Sequence, residues 1–389
     1  MPCIEHICTA NSTQDLPGVL SFEHSSAPPS DRLSWASTYL LEAMTLTSKQ
    51  KERYSRMLAL HDISESHMES IASSTVSVVG AGGLGSPALR LLTAIGFGTI
   101  RIIDRDIVEL SNIQRQTVYN TVDIGMPKAE AAAANLALLN PDVDFQPISA
   151  SIAEDNAATL LKGSDIIIDG LDSFNTRFVV NRVSVELKIP YVFAGAIEYH
   201  SNLSTFIPGK TGCLHCLAGD AQDNSDYTCA NVGVSTELLS IVASVEVRES
   251  VLLATGQSPR LANRLMVVDI ASLSFDFFDI GRDDNCPVCS IHATPPSVEQ
   301  SEVPRVTTLC SGTFNLTPGS PVEIDMNLIA ERLASSYEVK QAKRWLKLRS
   351  SSGIEVTIMP QANAIIKGVK SEKEALEIYE TILRAESSY

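Results

Sequence analysis

A glycine-rich turn and a downstream acid are the first residues in this sequence whose types and spacing indicate chemistry. The segment GAGGLG, from Gly80 to Gly85, satisfies G-x-G-x-x-G, and Asp104 follows at about the 20-residue distance expected for a ribose-binding acid. Gly80, Gly82, Gly83 and Gly85 let the backbone approach a phosphate, and a helix beginning there adds partial positive charge. The pattern favours nucleotide binding over a turn that merely packs a strand on a helix.

Polar side chains in the segment DRDIVELSNIQRQ indicate which nucleotide is bound. A nicotinamide cofactor has little use for a guanidinium here, whereas the planar fork of Arg115 would grip a triphosphate. Asn112 and Gln116 can donate further hydrogen bonds. Lys128 lies in the first turn of a predicted helix, where a cation is unfavourable unless an anion lies beside it. A solvated lysine is the alternative for Lys128, but together these residues predict a triphosphate site.

A triphosphate site of this kind suits the adenylation of a carboxylate by ATP. The acid is already ionised at neutral pH, so the protein must position reactants and offset charge rather than supply a general base. Asp172, in IIIDGLDSF, comes just past a strand, where open α/β sheets place ligands, and suits a Mg2+ that bridges phosphates. A helix cap is the alternative role for Asp172, and Asp169, still inside the strand, is the weaker metal-ligand candidate.

Two C-x-x-C pairs, Cys213 with Cys216 and Cys286 with Cys289, predict a zinc site. In a cytosolic chain such pairs indicate a metal rather than disulfides. Four thiolates suit a tetrahedral Zn2+ with no open position, which is structural rather than catalytic. The alternative is a set of ordinary buried thiols. The long spacing between the pairs predicts a clip that joins two distant segments.

Composition excludes several classes of protein. Of 389 residues, 44% are hydrophobic, which is ample for a packed core. A formal net charge of −16 argues against a nucleic-acid partner, which would need Lys and Arg against its phosphates. No long apolar run predicts a membrane span, and the N-terminus has no secretory pattern. We expect a soluble, cytoplasmic protein that binds neither nucleic acid nor membrane.

Alternating strands and helices are predicted to position these residues. Strands are expected in STVSVVG, TIRIID, VDFQPIS, SDIIIDG and IPYVFAGA, with helices between them, one capped by Ser86 and one begun by Pro127. The alternation predicts a doubly wound, Rossmann-like, mostly parallel α/β sheet. After Ala196, RLMVVDI and SFDFFDI predict an antiparallel extension, and a long helix is expected from about Val234 to Ala254.

The expected organisation is a flexible extension at 1–47, an ATP-binding adenylyltransferase domain with the zinc site at 48–290, a linker at 291–302 and a small α/β domain at 303–389. A charged helix is expected over roughly Ser48 to Leu60. In the last domain, strands are expected in WLKLRS, EVTIMP and NAIIKG, with two helices. Because Met44 would itself serve as a start, the sequence leaves open whether residues 1–43 belong to the native protein.

The segments GAGGLGSP, DRDIVELSNIQRQ, GMPKAEAA and DGLDSFNTR resemble the MoeB/ThiF-type adenylyltransferases, relatives of ubiquitin-activating enzymes, over roughly residues 48–290. The resemblance implies ATP- and Mg2+-dependent adenylation of the C-terminal glycine of a small β-grasp sulfur carrier ending in Gly-Gly. Ser173 stands where relatives usually have Asn. The implied site consists of Gly83 against the phosphates, Asp104 on the ribose, Ser111 to Arg115 and Lys128 on the triphosphate, and Asp172 on the magnesium ion.

Two further residues take their implied roles from the resemblance. RYSRML resembles the helix whose arginine reaches the neighbouring subunit's ATP site, which implies a homodimer with Arg56 acting in trans; Met57 replaces the usual Gln. Cys229, in DYTCANVGV, resembles a cysteine that in some members forms a thioester or takes part in sulfur transfer and in others is dispensable. The sequence leaves open whether Cys229 is a nucleophile or a passive thiol.

Alternatives remain at this stage. A nicotinamide-dependent oxidoreductase would leave Arg115, Lys128 and the zinc pairs unused, and retention of the charged positions argues against a zinc-clipped scaffold without activity. A dehydratase acting on a tRNA-bound threonylcarbamoyl adenosine is disfavoured by the acidic charge and the thiols. The C-terminal unit either recruits a partner or covers the core. Molybdopterin synthesis, thiamine synthesis, tRNA thiolation and protein conjugation begin with the same step, so the pathway stays open.

Overall fold

The computed structural model describes residues 45–219, 221–223, 229–293, 303–308, 313–320, 322–342 and 344–387. The predicted extension at 1–47 and linker at 291–302 lie almost wholly outside these ranges. The strands are β1 Thr75–Val79, β2 Thr99–Ile103, β3 Asp144–Ile148, β4 Ile166–Asp169, β5 Tyr191–Ile197, β6 His200–Phe206, β7 Arg264–Asp269, β8 Ser274–Asp279, β9 Arg305–Thr308, β10 Thr313–Thr317, β11 Tyr337–Gln341, β12 Leu346–Ser350, β13 Glu355–Ile358 and β14 Ala364–Lys367. The α-helices are α1 Ser48–Arg53, α2 Ser55–Leu58, α3 Glu65–Ser73, α4 Gly85–Ile95, α5 Lys128–Leu139, α6 Ala157–Leu161, α7 Phe174–Leu187, α8 Leu214–Ala218, α9 Cys229–Val232, α10 Thr236–Ala254, α11 Met326–Leu333 and α12 Glu372–Ser387.

The first sheet has eight strands in the order β3-β2-β1-β4-β5-β6-β7-β8. The first five strands in this order, β3, β2, β1, β4 and β5, pair in parallel. Strands β6, β7 and β8 continue the sheet in antiparallel fashion. The predicted mostly parallel sheet with an antiparallel extension is confirmed. Val79 at the end of β1 pairs with Ile103 of β2 and Asp169 of β4. The glycine turn after β1, Asp104 after β2 and the loop after β4 therefore lie side by side at the carboxyl ends of these parallel strands.

Helices cover both faces of this sheet. Alternate residues of β1 enter different cores, since Val76 and Val78 pack with residues of α4, α5 and α10, whereas Val79 packs with residues of α6 and α7. The run Ile166–Asp169 is buried throughout, as expected for a parallel strand covered on both sides. Within the described residues, no helix has the length and apolarity needed to cross a membrane.

Two local predictions are corrected by the fold. The helix expected over Ser48 to Leu60 is interrupted at Tyr54, whose buried hydroxyl accepts a hydrogen bond from Asn140 at 2.9 Å. Ser86 does not cap α4, because that helix begins one residue earlier, at Gly85. The Ser86 hydroxyl instead accepts the backbone N–H of Val118 at 2.8 Å, which ties the helix to the segment after β2.

The second sheet has six antiparallel strands in the order β11-β12-β13-β14-β10-β9. Helices α11 and α12 pack on one face, where Leu316, Leu346 and Tyr379 belong to an apolar core. The sequence predicted β12, β13, β14 and both helices but not β9, β10 or β11. The unit contains helices and strands as expected, but its sheet has no parallel pairing among the described residues.

Ion pairs join the second sheet to the first. Arg344, before β12, pairs with Glu130 of α5 at 2.9 Å, and Arg305 of β9 pairs with Asp155 at 2.7 Å. The side chain of Glu130 is only 4% exposed. Burial raises the pKa of Glu130 to about 7, although the charge of Arg344 acts in the opposite direction. One partly exposed guanidinium does not replace the lost hydration of this carboxylate.

Replacing Glu130 with Gln should make stability less dependent on pH. A folded-state pKa of about 7 above an ordinary value of 4.5 means that the wild type is stabilised below pH 4.5 and loses this contribution as pH rises through 7. The loss corresponds to about 3 kcal/mol in the free energy of unfolding. The melting temperature of Glu130→Gln minus that of the wild type should therefore increase between pH 5 and 8.

Arg344→Gln is the control for this pair. Removing the cation should raise the pKa of Glu130 further and extend the pH-dependent loss of stability to higher pH. A difference between Glu130→Gln and the wild type that stays constant from about pH 5 to pH 8 would contradict the raised pKa.

Candidate functional site

The glycines of the turn after β1 have different structural needs. Gly80 has a φ of +94°, and a Cβ there would lie 2.4 Å from the carbonyl oxygen of Gly170. A Cβ on Gly85 would lie 1.8 Å from the carbonyl oxygen of Gly80. Gly82 differs, because its nearest neighbour would be Gln116 at 3.8 Å, an ordinary contact. Packing therefore accounts for Gly80 and Gly85, whereas the fold itself does not require glycine at position 82.

Asp104 is held between the glycine turn and its own chain. One carboxylate oxygen accepts the backbone N–H of Ala81 at 2.7 Å and the other accepts that of Asp106 at 2.8 Å. Burial raises the pKa of Asp104, although Lys128 and the two amides act in the opposite direction. Each oxygen retains a lone pair, so this carboxylate can also accept from a ligand hydroxyl.

Lys128 is a buried cation at the first residue of α5, with 6% of its surface exposed. Its ammonium group donates to the Asp106 carboxylate at 3.1 Å. Burial alone would lower the pKa of Lys128, but the charges of Asp104 and Asp106 outweigh burial and raise it. The lysine is thus not the solvated side chain of the alternative interpretation, and it stays charged at neutral pH.

Asp106 is the residue of this group that the sequence reasoning missed. A signal was available, because a cation in the first turn of a helix requires an anion nearby. The spacing D-R-D supplies that anion from the chain itself. Asp106 thus supplies one negative partner of Lys128, independently of any bound phosphate.

The segment after β2 folds over the glycine turn. The Asn112 side-chain oxygen accepts the backbone N–H of Glu109 at 3.0 Å, and the Arg115 guanidinium donates to the Ser111 carbonyl at 2.7 Å. Gln116 is 4% exposed, and its side-chain oxygen has no hydrogen-bond partner among the described residues. Asn112 and Gln116 are thus buried, whereas Ser111 is exposed and Arg115 half-buried.

The loop after β4 separates the two candidate acids. Asp169 is fully buried, where its carboxylate pairs with Arg177 at 3.0 Å and accepts the hydroxyl of Tyr191. Asp172 is exposed and makes no hydrogen bond or ion pair with the described residues, although its charge helps to raise the pKa of Lys128. Ser173, not Asp172, caps α7 by accepting the N–H of Thr176 at 3.4 Å. Asp172 is therefore free to take a cation.

Arg56 and Cys229 are not joined to these residues. Arg53 contacts its own subunit through the Leu139 carbonyl at 3.2 Å, whereas Arg56 on α2 is exposed and has no partner in the described part of the chain. Cys229 is the first residue of α9. Its side chain lies outside what the structure describes, so its predicted chemistry remains a prediction.

The four cysteines of the two C-x-x-C pairs meet in one cluster. Their sulfur atoms all lie within 4.8 Å of one another, with Cys213 to Cys286 at 3.7 Å and Cys216 to Cys289 at 3.4 Å. Ideal tetrahedral Zn–S bonds of about 2.3 Å would place the sulfurs about 3.8 Å apart. Backbone N–H groups donate to two of these sulfurs, which favours the thiolate form. The four cysteines fit a zinc ion, which would join α8 to the segment after β8.

The fold indicates the class of protein. A doubly wound α/β sheet with a glycine turn and a strand-end acid at its carboxyl edge is the arrangement in which such sheets bind nucleotides. The ThiF family profile matches residues 54–288, which is more than half of the sequence. The chain therefore belongs to the ThiF family, and the expected MoeB/ThiF-type adenylyltransferase is confirmed.

Relatives with described activities agree with this assignment. The chain is 35% identical over 247 residues to the SAMP-activating enzyme E1 of Haloferax volcanii, covering 63% of this chain and 91% of that one. It is 30% identical over 338 residues to the sulfur carrier protein ThiS adenylyltransferase of Bacillus subtilis, covering 84% and 98%. A solved structure of Escherichia coli MccB with ATP is similar in fold, with a TM-score of 0.55, 22% identity and coverage of 61% and 74%.

We predict that the cysteine cluster holds zinc and that removing the metal destabilises the protein. Because metal binding is linked to folding, stripping zinc with a chelator or introducing Cys213→Ser should lower the melting temperature by at least about 5 °C. Metal analysis should find about one zinc per chain in the wild type and less in the variant.

Cys310→Ser, which removes a cysteine that belongs to neither C-x-x-C pair, is the control and should keep both zinc and melting temperature. A wild type that contains no zinc and melts unchanged after chelation would show that these residues are ordinary thiols.

Proposed function

We propose that this chain uses ATP to adenylate the C-terminal glycine of a small ubiquitin-like sulfur carrier that ends in Gly-Gly, with release of pyrophosphate. The single observation that carries the proposal is the buried Lys128 with Asp104 and Asp106 beside the glycine turn, in a chain of the ThiF family. The relatives named for SAMP and ThiS support a carrier of this type.

The carrier's terminal carboxylate attacks the α-phosphorus of ATP, a P–O bond forms, and the bond to the pyrophosphate oxygen breaks. Asp104 accepts a ribose hydroxyl, and the backbone at Gly82 and Gly83 faces the phosphates. Lys128 and Arg115 offset charge on the triphosphate and on the leaving pyrophosphate. No proton has to be removed from the nucleophile, so positioning and charge compensation are the protein's main contributions.

The charge balance of the site supports a divalent cation. Asp104, Asp106 and Asp172 supply three carboxylates, against Lys128 and Arg115 as cations, before any phosphate enters. A triphosphate would add further negative charge, so additional cations must accompany it. Asp172, exposed and without a partner in the described residues, would hold Mg2+. When bound, this ion neutralises phosphate charge.

The same balance supports a second subunit. Arg53 is committed to its own subunit, whereas Arg56 is exposed on α2 without a described partner. We infer a homodimer in which Arg56 enters the neighbouring subunit's site and adds a planar donor group to the triphosphate.

After adenylation, Cys229 would attack the acyl-adenylate, forming a thioester and releasing AMP.

Arg115→Ala should suppress ATP–pyrophosphate exchange by about 100-fold, because the transition state loses a cation that offsets its charge. Exchange should be measured with a Gly-Gly-ending carrier, without which the wild type should show none. Arg90→Ala, which removes an exposed arginine from α4, should retain exchange. Normal exchange by Arg115→Ala would refute the phosphate role of Arg115.

A mixing experiment extends this test to Arg56. Arg56→Ala should also be inactive alone. Co-refolding it with Arg115→Ala should restore about a quarter of wild-type exchange, since each mixed dimer would contain one intact site. No restoration in verified mixed dimers would show that Arg56 does not act in trans.

Cys229→Ala should leave exchange within about twofold of the wild type, because the thiol acts after the carboxylate has been activated. The same change should abolish a DTT-sensitive adduct with the carrier, visible by non-reducing gel and intact mass. Cys310→Ser is the control for loss of any single thiol. If the wild type forms no such adduct, Cys229 is a passive thiol.

A further inference from the structure

The second sheet contacts the segment that carries Asp104 through a fully buried amide. On β10, Phe314 and Leu316 enter the apolar core, and the intervening Asn315 lies on the opposite face with no exposed surface. A buried amide is unfavourable unless it is hydrogen-bonded. Two of its partners lie in segments that follow strands of the first sheet: Ser151 follows β3, and Arg105 follows β2 and comes directly after Asp104.

Hydrogen bonds fix the orientation of the Asn315 side chain. Its oxygen accepts the hydroxyl of Ser151 at 3.1 Å and that of Thr317 at 3.2 Å. Its nitrogen donates to the carbonyl oxygen of Arg105 at 3.2 Å. The two hydroxyl groups can donate to the amide oxygen, whereas the carbonyl oxygen of Arg105 can only accept. The NH2 group of Asn315 must therefore face Arg105.

The Arg105 carbonyl and the Asp106 N–H belong to one planar peptide group. That N–H donates to Asp104 at 2.8 Å, and the Asp106 side chain pairs with Lys128 at 3.1 Å. Rotation of this peptide would move both its oxygen and its N–H. The hydrogen bond from Asn315 therefore sets the direction of the donor that orients the Asp104 carboxylate.

Attachment of the two sheets alone does not account for this arrangement. Partly exposed arginines already join them, since the side chain of Arg344 is 43% exposed and that of Arg305 34% exposed. Asn315, in contrast, is buried in the middle of β10, and its amide contacts the carbonyl oxygen of the residue that follows Asp104.

We propose that Asn315 is a positioning residue for nucleotide recognition, acting through the Arg105–Asp106 peptide on Asp104. The C-terminal sheet is then part of the ATP site rather than a cover for the core. This inference rests on the proposed function, in which Asp104 holds the ribose hydroxyls of ATP.

Asn315→Asp tests the inference with little change of shape. A carboxylate still accepts from Ser151 and Thr317 but cannot donate to the Arg105 carbonyl. The dissociation constants of ATP and 2′,3′-dideoxyATP should be measured on the full chain. We expect the dissociation constant of ATP to rise about tenfold. The added charge changes both dissociation constants by a common factor. Beyond that factor, the dissociation constant of the dideoxy analogue, which lacks the ribose hydroxyls, should change by at most about twofold.

The ratio of the dissociation constant of 2′,3′-dideoxyATP to that of ATP isolates the ribose contact. The new negative charge repels the phosphates of both ligands alike, and any general loosening of the site also acts on both. A falling ratio therefore reports the orientation of Asp104. Ser151→Ala, which removes one donor that orients Asn315, should lower the ratio by a smaller factor and serves if Asn315→Asp does not fold.

Asn363→Asp is the matched control. Asn363 is another buried amide of the same sheet, in the turn between β13 and β14, and its side-chain oxygen has no described partner. It should keep the wild-type ratio, and thermal unfolding should show comparable stability for the two Asp variants.

The outcomes separate the two proposals. If the wild type prefers ATP over the dideoxy analogue and both Asn315→Asp and Ser151→Ala keep that preference, the positioning role of Asn315 is wrong while the proposed function stands. If the folded wild type binds ATP without regard to its ribose hydroxyls, or does not bind ATP, the role of Asp104 fails and this inference fails with it.

Discussion

The ion pair between Lys128 and Asp106 determines how the ligand-binding edge is arranged. Removing an ammonium group from water costs several kcal/mol unless a charged partner replaces the lost hydration. Lys128 is 6% exposed and begins a helix, where the dipole adds to that cost. The first turn of α5 must therefore lie against the acids that follow β2. Asp104 in turn accepts the N–H of Ala81, so the same constraint fixes the glycine turn.

Local sequence patterns predicted most of the first sheet, because buried strands and covering helices have characteristic periodicities. The cysteine pairs were also recognisable, since each C-x-x-C fixes two ligands locally and leaves only the other pair as a partner. Predictions that required a long-range partner were incomplete. The pairing of Lys128 with Asp106 spans 22 positions, and that of Arg344 with Glu130 spans 214. A local pattern can show that a charge such as Lys128 needs a partner, but it does not specify which distant residue supplies that partner.

The C-terminal strands show a second limit. Strand β10 has only Phe314 and Leu316 as apolar residues, within a segment bounded by Gly312 and Pro318 in the sequence. Its other face, with Thr313, Asn315 and Thr317, is buried although it is polar. An alternating pattern normally indicates one face in solvent, so the sequence gives no sign that this face packs on another sheet. The match to the Bacillus subtilis relative covers 84% of the chain. Residues 1–288, which end where the family match ends, are only about three quarters of the chain, so the match to this relative includes part of the C-terminal unit.

The two ends of the site differ in how completely the fold organises them. At the end that we propose binds the ribose, Asp104 is buried and bonded to two backbone amides, and the peptide beside it is held from β10. At the end that we propose binds the phosphates, Asp172 is exposed without a described partner. A permanent cluster of cations there would repel itself before ATP arrived. In the proposed reaction, the fold would thus preorganise the end that anchors the nucleotide, while part of the charge compensation at the reacting end would enter with ATP, Mg2+ and a second subunit.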